Sequence, residues 1–177
     1  MNWRNYRWPV IGLTLLITLA LLFSGQFLWQ QFAIAQPMSQ IAQGIDGVES
    51  VSLDKAGKNK SMIKVNVKLN QVANLQTTYQ ALDERIANVL GHHQYEIILH
   101  SSSAPELERL YYSIHYDIQE AIFTGNFSLM AERIQTRAEA DKIAARTFVD
   151  ASHVYLQLAN PSGSLYIAIP RHPKEVK

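Results

Sequence analysis

Six histidines, His92, His93, His100, His115, His153 and His172, are the residues best suited to metal or proton chemistry. His92 and His93 precede a strand-like run, Tyr95–His100, and His100 ends it, so these three are the candidates for a metal site. Adjacent histidines in a loop point in different directions, and no carboxylate stands at helical ligand spacing from them. HExxH is absent, and so is any paired carboxylate–histidine set. The pattern favours a solvated loop over a metal centre, and no cofactor is expected.

Nucleophilic chemistry fares no better. In His100-Ser101-Ser102-Ser103, neighbouring strand residues face opposite ways, so His100 is badly placed to activate Ser101. Neither a GxSxG elbow nor an SxxK pair occurs. Ser103 as a helix N-cap, with Glu106 as its capping-box partner, explains the run more simply. Glu106, Glu108, Asp117 and Glu120 could supply acid–base pairs, but carboxylates sharing one helix are usually surface charges. Phosphate cradles of the GxxxxGK[ST] or GxGxxG kind are missing. With no cysteine in the chain, disulfides, thiolate metal sites and thiol catalysis are all excluded.

One segment carries a stronger signal. Around residues 107–123, Leu107, Leu110, Tyr111, Ile114, Ile118, Ala121 and Ile122 form an apolar helical stripe. Beside it, Tyr112, His115, Tyr116, Gln119 and Phe123 make a second, aromatic face. If the first stripe meets a sheet, the second must pack under a neighbouring element, meet a partner or lie on the membrane surface. Aromatic side chains beside His and Gln are the composition of interface cores, and these five residues are the candidate partner surface.

The elements that must position these groups begin with a membrane anchor. Residues 8–29, WPVIGLTLLITLALLFSGQFLW, carry no charge. As a helix they would extend roughly 33 Å, enough for a hydrocarbon core of about 30 Å. Tyr6 and Trp8 at one end, with Trp29 and Phe32 at the other, match aromatic belts at the two interfaces. Arg4 and Arg7 precede the run, and no charge follows until Asp46. The positive-inside bias therefore predicts a single-pass protein of the cell membrane, with residues 1–7 cytoplasmic, 8–29 spanning and 30–44 juxtamembrane. Residues 45–170 then form an extracytoplasmic domain, followed by a frayed basic tail over 171–177. Ala33-Ile34-Ala35 has the form of a signal-peptide cleavage site, but the bulky Phe27, Leu28, Trp29 and Phe32 ahead of it favour an uncleaved anchor.

Past Pro37, residues 38–43 suggest a short helix closed by Gly44. Val48–Asp54 and the alternating run 62–69 read as two strands of a hairpin around the loop 55–60. A helix follows, with Leu75, Tyr79, Leu82, Ile86, Val89 and Leu90 as its stripe, Asn74 as N-cap and Gly91 beyond its end. Tyr95–His100 supplies a third strand. A helical region over 104–145 is split by Gly125-Asn126, with Leu129, Ile134 and Ala138 facing inward in its second half. Residues 153–158 and 165–169 form a hairpin about Asn160-Pro161-Ser162-Gly163.

The expected fold is therefore α+β: a transmembrane helix, then α-β-β-α-β and α-α-β-β, with helices on one face of a mostly antiparallel sheet of five or so strands. In element order, residues 38–100 resemble the small ring-building modules of membrane secretion and sporulation complexes, a likeness of topology without a diagnostic motif. The open sheet face would carry Lys64, Asn66, Lys68, Glu96 and His100.

Formal net charge is +1, and with Arg4 and Arg7 set aside the rest carries −1, so no electrostatic footprint for nucleic acid exists. The expected function is a membrane-anchored structural or interaction module, bound to lipid through residues 8–29 and to a protein partner or to itself. A ligand- or ion-sensing extracytoplasmic domain is the alternative, and a membrane-bound hydrolase ranks third.

Overall fold

The computed structural model describes residues 15–19, 41–42, 44–54, 62–91 and 93–172. Two units divide the chain, residues 1–38 and residues 39–177. In the first, residues 15–19 are helical, with Leu15, Leu16, Ile17 and Leu19 exposed. Among the described residues no helix is long and apolar enough to cross a membrane. The remaining residues of the 8–29 run, together with Tyr6 and Phe32, lie outside them. Of the expected helix over 38–43, only residues 41–42 are described, and these are helical.

The second unit is α+β, built on two three-stranded sheets. In the first sheet, β1 (Val48–Asp54) pairs antiparallel with β2 (Ile63–Leu69), opposing Val51 to Val67 and Leu53 to Val65. Alternation along β2 sends Val65, Val67 and Leu69 into the core and leaves Lys64 and Lys68 outside. Helix α1 (Leu75–Leu90) crosses over, so that β3 (Tyr95–His100) lies parallel to β2, as a β-α-β connection dictates. Asn74 caps α1, its Oδ1 accepting from the Thr77 N–H at 3.2 Å. Leu75, Thr78, Tyr79, Leu82 and Ile86 make the buried stripe of α1.

Helices α2 (Pro105–Thr124) and α3 (Phe127–Ala140) form a hairpin broken at Gly125, whose φ of 76° suits a residue without Cβ. Ala104, not Ser103, is the N-cap of α2, and it makes no side-chain cap bond. Pro105 starts the helix with φ already restricted, and its missing N–H would have been unpaired there in any case. In α3 the inward residues are Met130, Ile134 and Ala138, at steps of four. Leu129, expected inside, is turned about 100° off that row and stays exposed.

The second sheet is antiparallel throughout: β4 (Ala144–Val149), β5 (His153–Asn160) and β6 (Gly163–Pro170). Strand β4 occupies residues whose first two, Ala144 and Ala145, read as a helix end in the sequence. The alanines favour helix, yet pairing of Phe148 with Tyr155 and Thr147 with Leu156 overrides that preference.

Helices on one face of a single sheet fail as a description of the second sheet. The even residues of β5, Val154, Leu156 and Leu158, join Leu107, Leu110, Ile114, Ile118, Met130 and Ile134 in a core under α2 and α3. Its odd residues meet α1 and the preceding loop instead. The Tyr155 ring stands edge-on to Tyr79 at 5.5 Å, and Gln157 Nε2 donates to the Val72 carbonyl at 2.6 Å. Strand β5 is therefore covered on both sides. The two sheets meet where the Ser164 N–H donates to the Ser102 carbonyl at 2.9 Å.

Arg171 does not fray with a tail. Its guanidinium lies 4.7 Å from the Phe127 ring centre and donates to the Asp150 carbonyl at 2.7 Å. Residues 173–177 fall outside the described ones.

Candidate functional site

The most exposed apolar surface in the folded unit lies on α2. Tyr112, Tyr116 and Phe123 are 74%, 80% and 95% exposed, while Leu107, Leu110, Ile114 and Ile118 of the same helix are fully buried. No described segment of the folded unit covers these three side chains. The cause is the placement of α3, which takes a different side of α2. Asp117, almost wholly buried, is met there by Arg133 Nη1 at 3.0 Å and Arg137 Nη1 at 2.6 Å, and Arg133 also reaches Glu120 at 2.8 Å. These ion pairs, with Glu106 facing Arg109 at 3.6 Å, occupy three of the four carboxylates considered as catalytic acids.

Two of the exposed rings, Tyr112 and Tyr116, have ring neighbours on the same helix. Tyr111 contacts Tyr112 at 6.1 Å between centroids and His115 edge-on at 5.8 Å, and His115 meets Tyr116 edge-on at 5.7 Å. Such contacts are worth about 0.5–1.5 kcal/mol each beyond burial. Burial first, then the neighbouring Tyr112, pushes the Tyr111 hydroxyl above its ordinary value, so it remains a hydrogen-bond donor. Gln119 is exposed on the same face. Leaving a Phe ring in water forgoes about 1.5–3 kcal/mol that burial against a partner would recover.

The second feature is a polar hollow of about 570 Å³ between the loop before α1 and the second sheet. Gln71, held at a φ of 51°, and Val72 form one wall, with Arg146, Gln157, Tyr166 and Ser164 opposite. The Val72 N–H donates to the Tyr166 hydroxyl at 3.1 Å, and Arg146 Nη1 donates to the Ala73 carbonyl at 3.1 Å. Gln157 Oε1 is buried without a hydrogen-bond partner among the described residues. A lone glutamine amid the apolar run of β5 is the one sequence signal that could have marked this place. Ser102 borders both this hollow and a smaller one over the open face of the first sheet, where His100 Nε2 and Asn66 Oδ1 stand 2.9 Å apart. Neither hollow brings a histidine and a carboxylate together.

Of the candidate metal ligands, His93 and His100 do not converge. His93 and His100 lie at opposite ends of β3, roughly 20 Å apart at the rise of a strand. The His93 Nδ1 N–H donates to the Leu90 carbonyl at 2.7 Å. His92 lies outside the described residues. Among the described residues no three His, Asp or Glu side chains are grouped to hold a metal ion.

A third cluster ties the fold together. Asp150 Oδ1 accepts from the Ser152 and His153 N–H groups at 2.7 and 2.8 Å, and Oδ2 from the Tyr155 hydroxyl at 2.7 Å and Gln80 Nε2 at 3.0 Å. Burial raises its pKa, but these four donors outweigh it and hold the carboxyl at about 2. Burial first, then the charges of Asp83, Glu96 and Asp150, pushes the nearby Tyr79 hydroxyl up to about 12. The site is a structural junction between α1 and the β4–β5 turn. Set beside known proteins, the chain matches no family model, no curated protein and no solved structure.

Proposed function

We propose that this chain is a membrane-tethered interaction module whose α2 face docks a protein partner. The observation that carries the reading is the exposure of Tyr112, Tyr116 and Phe123 together on one helix face. Interfaces concentrate their energy in buried Tyr, Trp and Arg anchors, and a folded domain has little reason to leave three such rings in water. The uncharged run over residues 8–29 supports the tether, and the short segment to Gly44 keeps the domain near the bilayer.

The test uses the full chain in its own membrane, with a benzophenone side chain at position 116, 123 or, as control, exposed Glu139 of α3. Positions 116 and 123 are expected to capture a protein and position 139 none. Tyr116→Glu should lower capture from position 123 by roughly tenfold or more, as loss of a central anchor does. Equal capture at all three positions, or none at any, would reject the docking face.

A second reading, a sensor of a small polar ligand, is supported by the 570 Å³ hollow and its unpartnered Gln157 Oε1. A ligand at 100 times its Kd stabilises the folded state by about 2.7 kcal/mol. A melting temperature unmoved by millimolar phosphate, zinc or copper would count against that reading for those ligands.

A further inference from the structure

We infer that the helix docked on α2 is the α2 of a second copy of this chain, packed antiparallel about a two-fold axis at Tyr116. The inference rests on the docking reading above and names its partner. Arg109, Tyr112, Tyr116, Gln119 and Phe123 recur at steps of three, four, three and four along α2. That is the spacing by which a helix presents one seam to another helix, here turned away from the chain's own core.

The seam is self-complementary in one direction only. Arg109 and Phe123 stand seven residues to either side of Tyr116, so an antiparallel two-fold sets each Arg109 against the partner's Phe123. Both are free to meet. The Arg109 side chain is 77% exposed and, among the described residues, is paired with Glu106, and the Phe123 ring is 95% exposed. A guanidinium over an aromatic face is attractive by about 0.5–2 kcal/mol, and the chain already uses that contact where Arg171 covers Phe127. The same operation brings Tyr112 to the partner's Glu120, whose outer side can accept from a phenol while Arg133 holds its inner side. A parallel pairing would set Arg109 against Arg109 and leave Phe123 without a cation.

The area is sufficient but small. Three large aromatics per copy, at about 150–250 Å² each, bury on the order of 900–1,500 Å² in total, the low end for a specific interface. Confinement of both copies to one bilayer raises their effective concentration and compensates for that.

The chain contains no cysteine, so single-cysteine variants report position without background. In the full chain in its membrane, mild oxidation or a short bismaleimide is expected to link Tyr116→Cys to itself. Arg109→Cys and Phe123→Cys each stand about 21 Å from their own copies, at 1.5 Å per helical residue, and are expected to link poorly alone. Co-expressed, the two should yield a mixed dimer at least fivefold above either homodimer. Phe123→Ala should lower the Tyr116→Cys product about tenfold. Homodimers of Arg109→Cys and of Phe123→Cys with no mixed product would overturn the antiparallel two-fold. If no cysteine pair links while the benzophenone at 116 captures a different protein, the second copy is excluded and the docking face stands. If neither method captures anything, both readings fall.

Discussion

Gly163→Ala is expected to lower the melting temperature of the folded unit by roughly 4–12 °C, corresponding to about 2–3 kcal/mol. A Cβ at this position would stand 2.1 Å from the Ser102 carbonyl oxygen and 3.2 Å from its carbon. Both neighbours are backbone, so no side chain can swing aside. On one side the Ser103 N–H is bonded to the Ser101 carbonyl just before α2 begins, and on the other Gly163 pairs with Asn160 across the tight turn of the last hairpin. Relief requires the two sheets to part, at the expense of the Ser164–Ser102 hydrogen bond, itself worth about 0.5–1.5 kcal/mol. The glycine is needed for space and not for a positive φ. Thermal unfolding followed by circular dichroism, with Ser162→Ala on the same turn as control, makes the check. A melting temperature within about 1 °C of the parent would mean that the sheets do not meet at Ser102.

Asp150→Ala should cost about 2–4 kcal/mol at neutral pH, because it leaves four donors without their acceptor at once. The buried Tyr155 hydroxyl suffers most: burial first, then its bond to Asp150 and that charge, drives its pKa far upward and keeps it a donor throughout the accessible range. The effect is also pH-dependent with a definite sign. The folded carboxyl titrates at about 2, below its ordinary 3.8, so the stabilisation from its charge is complete above pH 4. It is lost as the pH falls from about 4 through 2. Discounted for solvent screening at a partly exposed group, that portion amounts to roughly 1–2 kcal/mol. Asp150→Asn isolates it. The stability gap between parent and this variant, from urea unfolding at pH 7, 4 and 2.5, should be constant to about pH 4 and then shrink. A gap unchanged at pH 2.5 would show that the carboxylate charge adds nothing. Tyr155→Phe combined with Asp150→Asn should fall short of additivity, since the two side chains share one hydrogen bond.

The same two sites mark where reading residues in order stops being informative. The elements over β1, α1, β3 and the last hairpin are local affairs. Alternation at Val65, Val67 and Leu69 and the cap at Asn74 encode themselves within a few residues, and the structure has them where the periodicity puts them. Strand β4 does not encode itself, because its alanines prefer helix and only its partner β5 makes it extended. Leu129 and Met130 differ by one residue, and local pattern could not choose between them; the packing of α3 against the core, through Met130, Ile134 and Ala138, did.

The composition and order of residues alone determined that this chain has an uncharged 22-residue run, no thiol chemistry, no recognisable catalytic motif and an α+β remainder with a two-faced helix. Only the tertiary structure decided that the remainder holds two sheets, that β5 is covered from both sides, and that Tyr112, Tyr116 and Phe123 stay in solvent. The reason is the range of the interactions involved. Periodicity and capping act over one or two turns of chain, whereas exposure of a helix face depends on which distant segment arrives to cover it, and here α3 arrives on the other side.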